Sequence, residues 1–284
     1  MTVYNREAYI AECLESILGS TYARWELIVV DDCSTDGSVE IAREYAKADD
    51  RVQLHVNERN LGDYANRNRA ASYARGKYLK YLDADDVIYP HSLRIMVEAM
   101  ERYPEAGFGL SQNVIDGPRP YPQAAGPAEV YRAFFFGPNV LGVGPSAAII
   151  RREAFGEVGG FSGEQYIGDT ELWLKLARRA PVVKLQPALV WWRQHAGQQI
   201  ESERRDPRVV VSRYRLKMRA LRWADSMLDE EEKARARRWV RHRHGRTIWN
   251  LALRQGRFWD ALSVMRSSGT SPSDLLLALM PRTK

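Results

Sequence analysis

The sequence predicts an α/β fold, a mostly parallel sheet flanked by helices, followed by a helical C-terminal extension. Three observations carry that expectation. Short apolar runs rich in β-formers end in carboxylates, amphipathic stretches of helical length lie between them, and the charge balance changes abruptly after about residue 203.

WELIVVDD (25–32) is too short for a helix and rich in β-formers, which predicts a strand buried on both faces. RVQLHV (51–56), KYLKYLD (77–83) and AGFGLSQN (106–113) predict further strands, and LVWWRQ (189–194) is strand-like. Helical patterns cover 7–20, 36–48, 63–75 and 90–102, the last opened by Pro90 in the first turn, with another at 170–180. Strand and helix in alternation imply right-handed βαβ crossovers, and ligands then bind beyond the carboxyl ends of the strands. Asp31-Asp32 and the run Asp83-Ala84-Asp85-Asp86 both close strands, so both are expected to face one crevice.

At 284 residues and 45% hydrophobic content, the chain can bury one large core, or one core and a smaller appendage. No apolar run approaches the roughly 18 residues needed to span a bilayer, and no signal peptide precedes the first polar residues, so a cytoplasmic protein is expected. Cys13 and Cys33 lack metal-ligand spacing and are expected as reduced thiols. Residues 1–203 hold 22 Lys and Arg against 28 Asp and Glu, net −6, whereas 204–284 hold 20 against 8, net +12. The expected division follows that step: a catalytic domain over 1–203 and a basic helical region over 204–284.

Asp83, Asp85 and Asp86 at one strand end repel one another unless a cation neutralises them. Mg²⁺ or Mn²⁺ typically takes one or two protein carboxylates and completes its shell with substrate phosphates. A single Asp in such a place more often ends a strand and caps the next helix. The second acidic strand end, Asp31-Asp32, favours a site.

Four segments in order resemble family 2 glycosyltransferases of the type-A nucleotide-diphospho-sugar transferase fold, whose mostly parallel sheet is Rossmann-like. They are VYNREAYIAECLESIL (3–18), WELIVVDDCSTDGS (25–38), NLGDYANRNRAASYARGKYLKYLDADD (60–86) and RREAFGEVGGFSGEQYIGDTELWLKLA (151–177). The resemblance implies a metal-assisted, inverting transfer of a sugar from a nucleotide-diphosphate sugar, most often a UDP-sugar, to a glycan or lipid-linked acceptor. It places Thr2 and Tyr4 beside the nucleobase and makes Asp32 the acceptor of the base's ring N–H. Asp83 matches the ribose-contacting carboxylate, Asp85 the metal ligand, and Asp86 a residue that orients its neighbours. Arg67 and Asn68 match an Arg-Asn pair near the nucleotide, although an exposed charged helix face is an equal reading for Arg67. Gly159-Gly160-Phe161 begins the acceptor-side segment, and Asp169 takes the place of the catalytic base, compatible with capping the helix at 170–180. His195 falls in a late Arg-X-His pattern that reaches the metal or the diphosphate. His55, His91, His242 and His244 have no motif context.

The chain departs from the family at three points. Gly168 stands where an acidic residue usually precedes the base, the residues AGQQI (196–200) after His195 are unusual, and Met1 stands where relatives carry an apolar first strand. The last departure leads to the expectation that the first strand is missing and the start lies upstream. GPRPYPQAAGP (117–127) is expected as a mobile loop over the site.

The tail is expected as helices at 207–225, 230–245, 246–254, 257–267 and 272–280, with Trp223, Trp239, Trp249 and Trp259 packing as core. A basic, aromatic-bearing face also suits peripheral contact with an anionic membrane surface, at the inner face of the membrane. No nucleic-acid motif accompanies the charge. Two rival readings differ in the residues they require. A nucleotidyltransferase needs a glycine-rich basic loop after its first strand, which Val3-Tyr4-Asn5-Arg6-Glu7 is not, and a non-catalytic sugar-nucleotide binder is expected to lose Asp85 or Asp169, which this chain keeps.

Overall fold

The computed structural model describes residues 1–112, 119–195 and 206–280. They form two compact units: the first is built from 1–130, 139–164 and 168–193, the second from 131–138, 165–167 and the chain from 194 onward. Asn113, Gly117, Pro118, AGQQI and Arg204 lie outside the described residues.

In the first unit β1 (Thr2–Val3), β2 (Leu27–Asp31) and β3 (Val52–Val56) form a parallel sheet in the order β1-β2-β3. All five residues of β2 are buried, as its continuous apolar run requires. A parallel bridge from Thr2 to Asp83 continues the sheet toward β4 (Tyr78–Lys80). From β4 the order runs through β8 (Ala148–Arg151), β6 (Phe108–Ser111) and β9 (Val182–Leu185) to β7 (Gln123–Ala125). Of these pairs only β6–β9 is parallel. The sheet is therefore parallel in its first half and mixed in its second. A separate antiparallel pair joins β5 (Val87–Ile88) to β10 (Val190–Trp191).

Helix α1 (Ile10–Leu18) buries Ile10, Cys13, Leu14 and Ile17, the spacing of one helical face. That face packs with Val3, Leu27, Val29, Ala42, Leu82 and Ile88 in one core cluster. Complete burial of a side chain such as Leu14 stabilises by about 1.5–3 kcal/mol. Helices α2 (Ser38–Ala48), α3 (Asp63–Tyr73) and α4 (Ser92–Arg102) each fall inside their expected spans, and Pro90 stands just before α4. Met96, Ala99 and Met100 of α4 pack on Ile149, Val183 and Leu185 in a second cluster.

Residues 1–3 lie between β2 and β4. The Met1 amine donates to the Ile28 carbonyl at 2.8 Å, and burial lowers its pKa to about 5. Beside Met1 a cavity of about 740 Å³ is lined by Leu27, Ile28, Tyr78 and Leu79 among others.

Two expectations change. Residues 119–127 are not a free loop, because Gln123–Ala125 add β7 to β9 at the sheet edge and α5 (Pro127–Phe136) begins at the last of them. Strand β8 has no counterpart among the strands expected from the sequence. It runs straight into α6 (Arg152–Glu157), so four apolar-leading residues beside a helix carry too short a period to read.

In the second unit α8 (Pro207–Ala220) ends five residues before its expected end. Helix α9 (Glu230–Trp249) starts with a capping box between Asp229 and Glu232 and continues into a π-helical turn at Asn250–Arg254, where a separate helix was expected. Helices α10 (Phe258–Ser268) and α11 (Pro272–Leu277) follow, and Val211, Ile248, Leu251, Ala261 and Val264 form the core. Gly245 permits the crossing of α9 and α11, since an added Cβ would stand 2.7 Å from Ala278 Cβ. Trp259 is 77% exposed, against the expectation that it packs. No helix among the described residues is long and apolar enough to cross a membrane.

Candidate active site

The acidic turn after β4 is held by the protein's own cations and donors. Arg67, on α3 one turn after Asp63, is buried, with Nε donating to Asp63 Oδ1 at 2.8 Å and Nη1 2.7 Å from Asp83 Oδ1. The exposed-face reading of Arg67 is thereby set aside. Burial works against the Asp83 charge, but Arg67 outweighs it and holds the carboxyl below its usual range. Burial likewise disfavours the Arg67 charge, and Asp83 and Asp63 more than offset it, raising the pKa.

Asp85 accepts from Arg6 Nε at 3.0 Å. Asp86, almost fully buried, accepts from the Arg193 N–H at 3.2 Å, while Arg193 Nε donates to the Asp85 carbonyl at 2.9 Å. Burial, with the charges of Asp83 and Asp85 adding to it, pushes Asp86 up to about 7. The Asp83 N–H donates to Ser146 Oγ at 3.0 Å, and the buried Lys80 ammonium donates to the Ser146 carbonyl; burial pulls the Lys80 pKa down to about 8. Arg6, Lys80, Ser146 and Arg193 were not among the expected site residues. Arg193 alone carried a signal, as the first residue of the Arg-X-His pattern.

Thr2 bridges to Asp83, and Tyr4, 47% exposed, follows in the same segment. Asp32 is buried and accepts from Asn57 Nδ2 at 2.7 Å and from the N–H groups of Leu61 and Gly62 at 2.8 and 2.9 Å. The carboxylate expected to receive a base N–H thus also pins the loop that enters α3.

The Asn68 amide is engaged by the backbone of Phe161. Nδ2 donates to the Phe161 carbonyl at 2.8 Å and Oδ1 accepts from the Phe161 N–H at 3.0 Å, tying the acceptor-side segment to α3. Gly160 makes this clamp possible: its φ is +63°, and an added Cβ would stand 2.6 Å from Asn68 Oδ1.

Asp169 lies in the first turn of α7 (Gly168–Ala177), where Oδ1 accepts from the Thr170 N–H at 2.7 Å. Burial raises its pKa; Arg67 lowers it and Asp63 raises it, so the candidate base shares the field of the acidic turn's own partners. The Gly168 N–H donates to Tyr64 Oη at 3.1 Å. His195 belongs to the second unit. Cys13 is a buried free thiol donating to the Asp83 carbonyl at 3.4 Å, and Cys33, also free, has φ +66°.

Among the described residues no three His, Cys, Asp or Glu side chains are grouped to hold a cation. A Mg²⁺ or Mn²⁺ ion typically takes one or two protein carboxylates and completes its shell with substrate phosphates, a demand that Asp85, its side chain 12% exposed, could meet from the protein side.

The model of the family described as glycosyl transferase family 2 matches residues 1–159. A putative glycosyltransferase, EpsE, of Bacillus subtilis is 41% identical over 104 residues, 36% of this chain and 37% of the relative. The putative teichuronic acid biosynthesis glycosyltransferase TuaG of the same organism is 39% identical over 97 residues, 34% of this chain and 38% of the relative. The match thus spans less than two fifths of each relative's length. Among solved structures, S. aureus TarS 1-349 in complex with UDP-GlcNAc superposes with a TM-score of 0.71 at 20% identity, covering 98% of this chain and 82% of that one. The mannosyltransferase PcManGT from Pyrobaculum calidifontis, in complex with GDP-Man and Mn²⁺, gives 0.66 at 19% identity, covering 98% and 76%. These likenesses show the type-A glycosyltransferase fold.

Proposed function

Since this chain belongs to glycosyl transferase family 2, we propose that it is an inverting glycosyltransferase that moves a sugar from a UDP-sugar to a hydroxyl of a glycan or lipid-linked acceptor. One observation carries the reading: Arg67 pairs with both Asp63 and Asp83, and the charges of Arg67 and Asp63 act on Asp169, which supports donor-side and acceptor-side carboxylates serving one site. The UDP-GlcNAc in the TarS complex supports the nucleotide, and the naming of TuaG for teichuronic acid biosynthesis supports an envelope polysaccharide as acceptor.

In this reading Thr2, Tyr4 and Asp32 face the base, Asp83 the ribose, and Asp85 a Mn²⁺ or Mg²⁺ ion. When bound, that ion supplies Lewis-acid stabilisation of the leaving diphosphate. The remaining work belongs to the chain. Arg67 fixes the Asp83 carboxylate, Arg193 and Asp86 hold the turn that presents Asp85, and Asn68 anchors the acceptor segment. Asp169 takes the acceptor's hydroxyl proton as the oxygen attacks, and its burial-raised proton affinity favours that step.

The second unit carries a groove of its own. A groove of about 860 Å³ is lined by Trp239, Arg243, Arg246, Leu253, Arg254 and Met280 among others, with Leu253, Leu279 and Met280 well exposed. Apolar side chains ringed by arginines suit an anionic membrane surface, where lipid-linked acceptors reside.

A thermal-shift screen tests the donor, because a ligand that binds only the folded state raises its melting temperature. UDP with Mn²⁺ is expected to stabilise most. Stabilisation by guanosine nucleotides and none by UDP would overturn the donor assignment.

A further inference from the structure

The three carboxylates of the acidic turn have different kinds of partner. Asp83 pairs with Arg67, whose side chain is 7% exposed, and Asp86 is almost wholly buried against the Arg193 backbone. The Asp85 carboxylate is 12% exposed against 31% for Asp83, but its partner is the more open one, since the Arg6 side chain is 29% exposed. Arg6 is fixed by its backbone rather than by that pair. Asn5 has φ +51°, the Arg6 N–H donates to Ser38 Oγ at 2.7 Å, and Nη1 donates to the Tyr4 and Asn5 carbonyls at 3.2 and 3.0 Å. The backbone anchor at Ser38 stays in place when the guanidinium leaves Asp85.

We propose that Arg6 is the resident counter-ion of Asp85 and exchanges partners when the substrate arrives: the divalent cation takes Asp85 while the diphosphate takes Arg6. The inference rests on the reading of Asp85 as the metal's protein ligand. Its physical basis is charge balance. A free dication must displace a guanidinium from Asp85 and leave it beside the ion, which costs like-charge repulsion; a diphosphate supplies the anion that receives it. Metal and nucleotide therefore bind with positive coupling, and by linkage each strengthens the other by the same factor. Arg6 is a positioning residue for the ion as well as a contact for the leaving group.

The test measures binding without turnover. Mn²⁺ affinity is read by electron paramagnetic resonance with and without UDP, and UDP affinity by calorimetry with and without Mn²⁺, for wild type, Arg6→Gln, Arg6→Lys and Asp85→Asn. Arg6→Gln is expected to bind Mn²⁺ alone roughly 5-fold or more tightly than wild type, the order of one partly exposed ion pair removed. It binds UDP more weakly in the absence of metal, so the coupling factor shrinks. Arg6→Lys keeps the charge, retains most of the coupling, and carries the test if Arg6→Gln fails to fold. Equal or weaker Mn²⁺ binding by Arg6→Gln, with Asp85→Asn losing it, overturns the exchange and leaves the metal ligand standing. Wild-type Mn²⁺ binding by Asp85→Asn overturns the ligand assignment, and the exchange falls with it.

Discussion

Gly168 lies against the ring of Tyr64: a Cβ added to it would stand 2.5 Å from Tyr64 Cζ, while its N–H donates to the Tyr64 hydroxyl at 3.1 Å. That contact explains why this chain has no side chain immediately before Asp169. Tyr64 occupies the space that an acidic residue would need. Its ring also stacks on Phe161 at 5.3 Å, so moving it would disturb the acceptor-side segment.

The prediction is a pair. Gly168→Asp forces the Tyr64 ring aside and should destabilise by roughly 1–3 kcal/mol, the usual cost of overpacking. Tyr64→Ala in the same chain should recover part of that loss, so the two changes combine non-additively. Denaturant midpoints of the two single variants and the double variant measure the coupling; additive effects would mean that Tyr64 is not the obstacle.

Much of this site was legible as motif and little of it as contact. The carboxylates at the ends of β2 and β4 read directly from apolar runs that stop at Asp. Their partners did not, because Arg6 and Asp85 lie 79 residues apart and Asp83 and Ser146 lie 63 apart. Neither pair shares an element whose period could announce it. Sequence reasoning therefore asked which metal neutralises the acidic turn, whereas Arg67, Arg6 and Lys80 already offset much of its charge. The fold shows the same limit. Helices with a full amphipathic face were found within two or three residues, while Ala148–Arg151 and Gln123–Ala125, four and three residues long, are defined by pairing across the sheet.

His244 predicts an acid response of the second unit. It is buried, stacks on Tyr214 at 4.0 Å and places Nε2 2.9 Å from Ser268 Oγ; burial lowers its pKa to about 4. An unfolded histidine titrates near 6.5, so between about pH 6.5 and 4 the unfolded state binds the extra proton and stability falls with pH. The loss should be on the order of 2 kcal/mol across that window. His244→Phe keeps the stacking and removes the titration. Its melting temperature should fall less than wild type between pH 6.5 and 4.5, and identical slopes would assign the acid response to other groups.

The basic groove predicts a salt-sensitive association with membranes. Arg243→Glu together with Arg246→Glu should weaken sedimentation with anionic phosphatidylglycerol vesicles several-fold and leave binding to neutral vesicles unchanged, because phosphate attraction is screened within about a Debye length. Leu253→Ser, at an exposed residue of the groove lining, probes the apolar component separately and should weaken binding to both kinds of vesicle. Equal sedimentation of wild type and the arginine variant would leave the groove without a membrane role.

Asp169 carries the sharpest consequence for mechanism. It sits on α7, an element apart from the strand end that bears Asp83 and Asp85, yet it lies within the electrostatic reach of Arg67 and Asp63. A base placed on the acceptor side, with the leaving diphosphate on the metal side, supports a single in-line displacement, and such a displacement inverts the anomeric carbon. A retaining route needs a second carboxylate free to attack that carbon. Asp63 and Asp83 are both committed to Arg67, and Asp86 is buried against the Arg193 backbone. Asp169→Asn preserves size and the acceptor for the Thr170 N–H while removing the basicity. It should bind UDP and Mn²⁺ as wild type does and lose transfer by about 10² to 10⁴, the contribution of a positioned base. With an α-linked donor, the product's anomeric coupling in NMR should report a β-linkage. A retained α-linkage, or turnover by Asp169→Asn within a few-fold of wild type, would take the base assignment away from this residue.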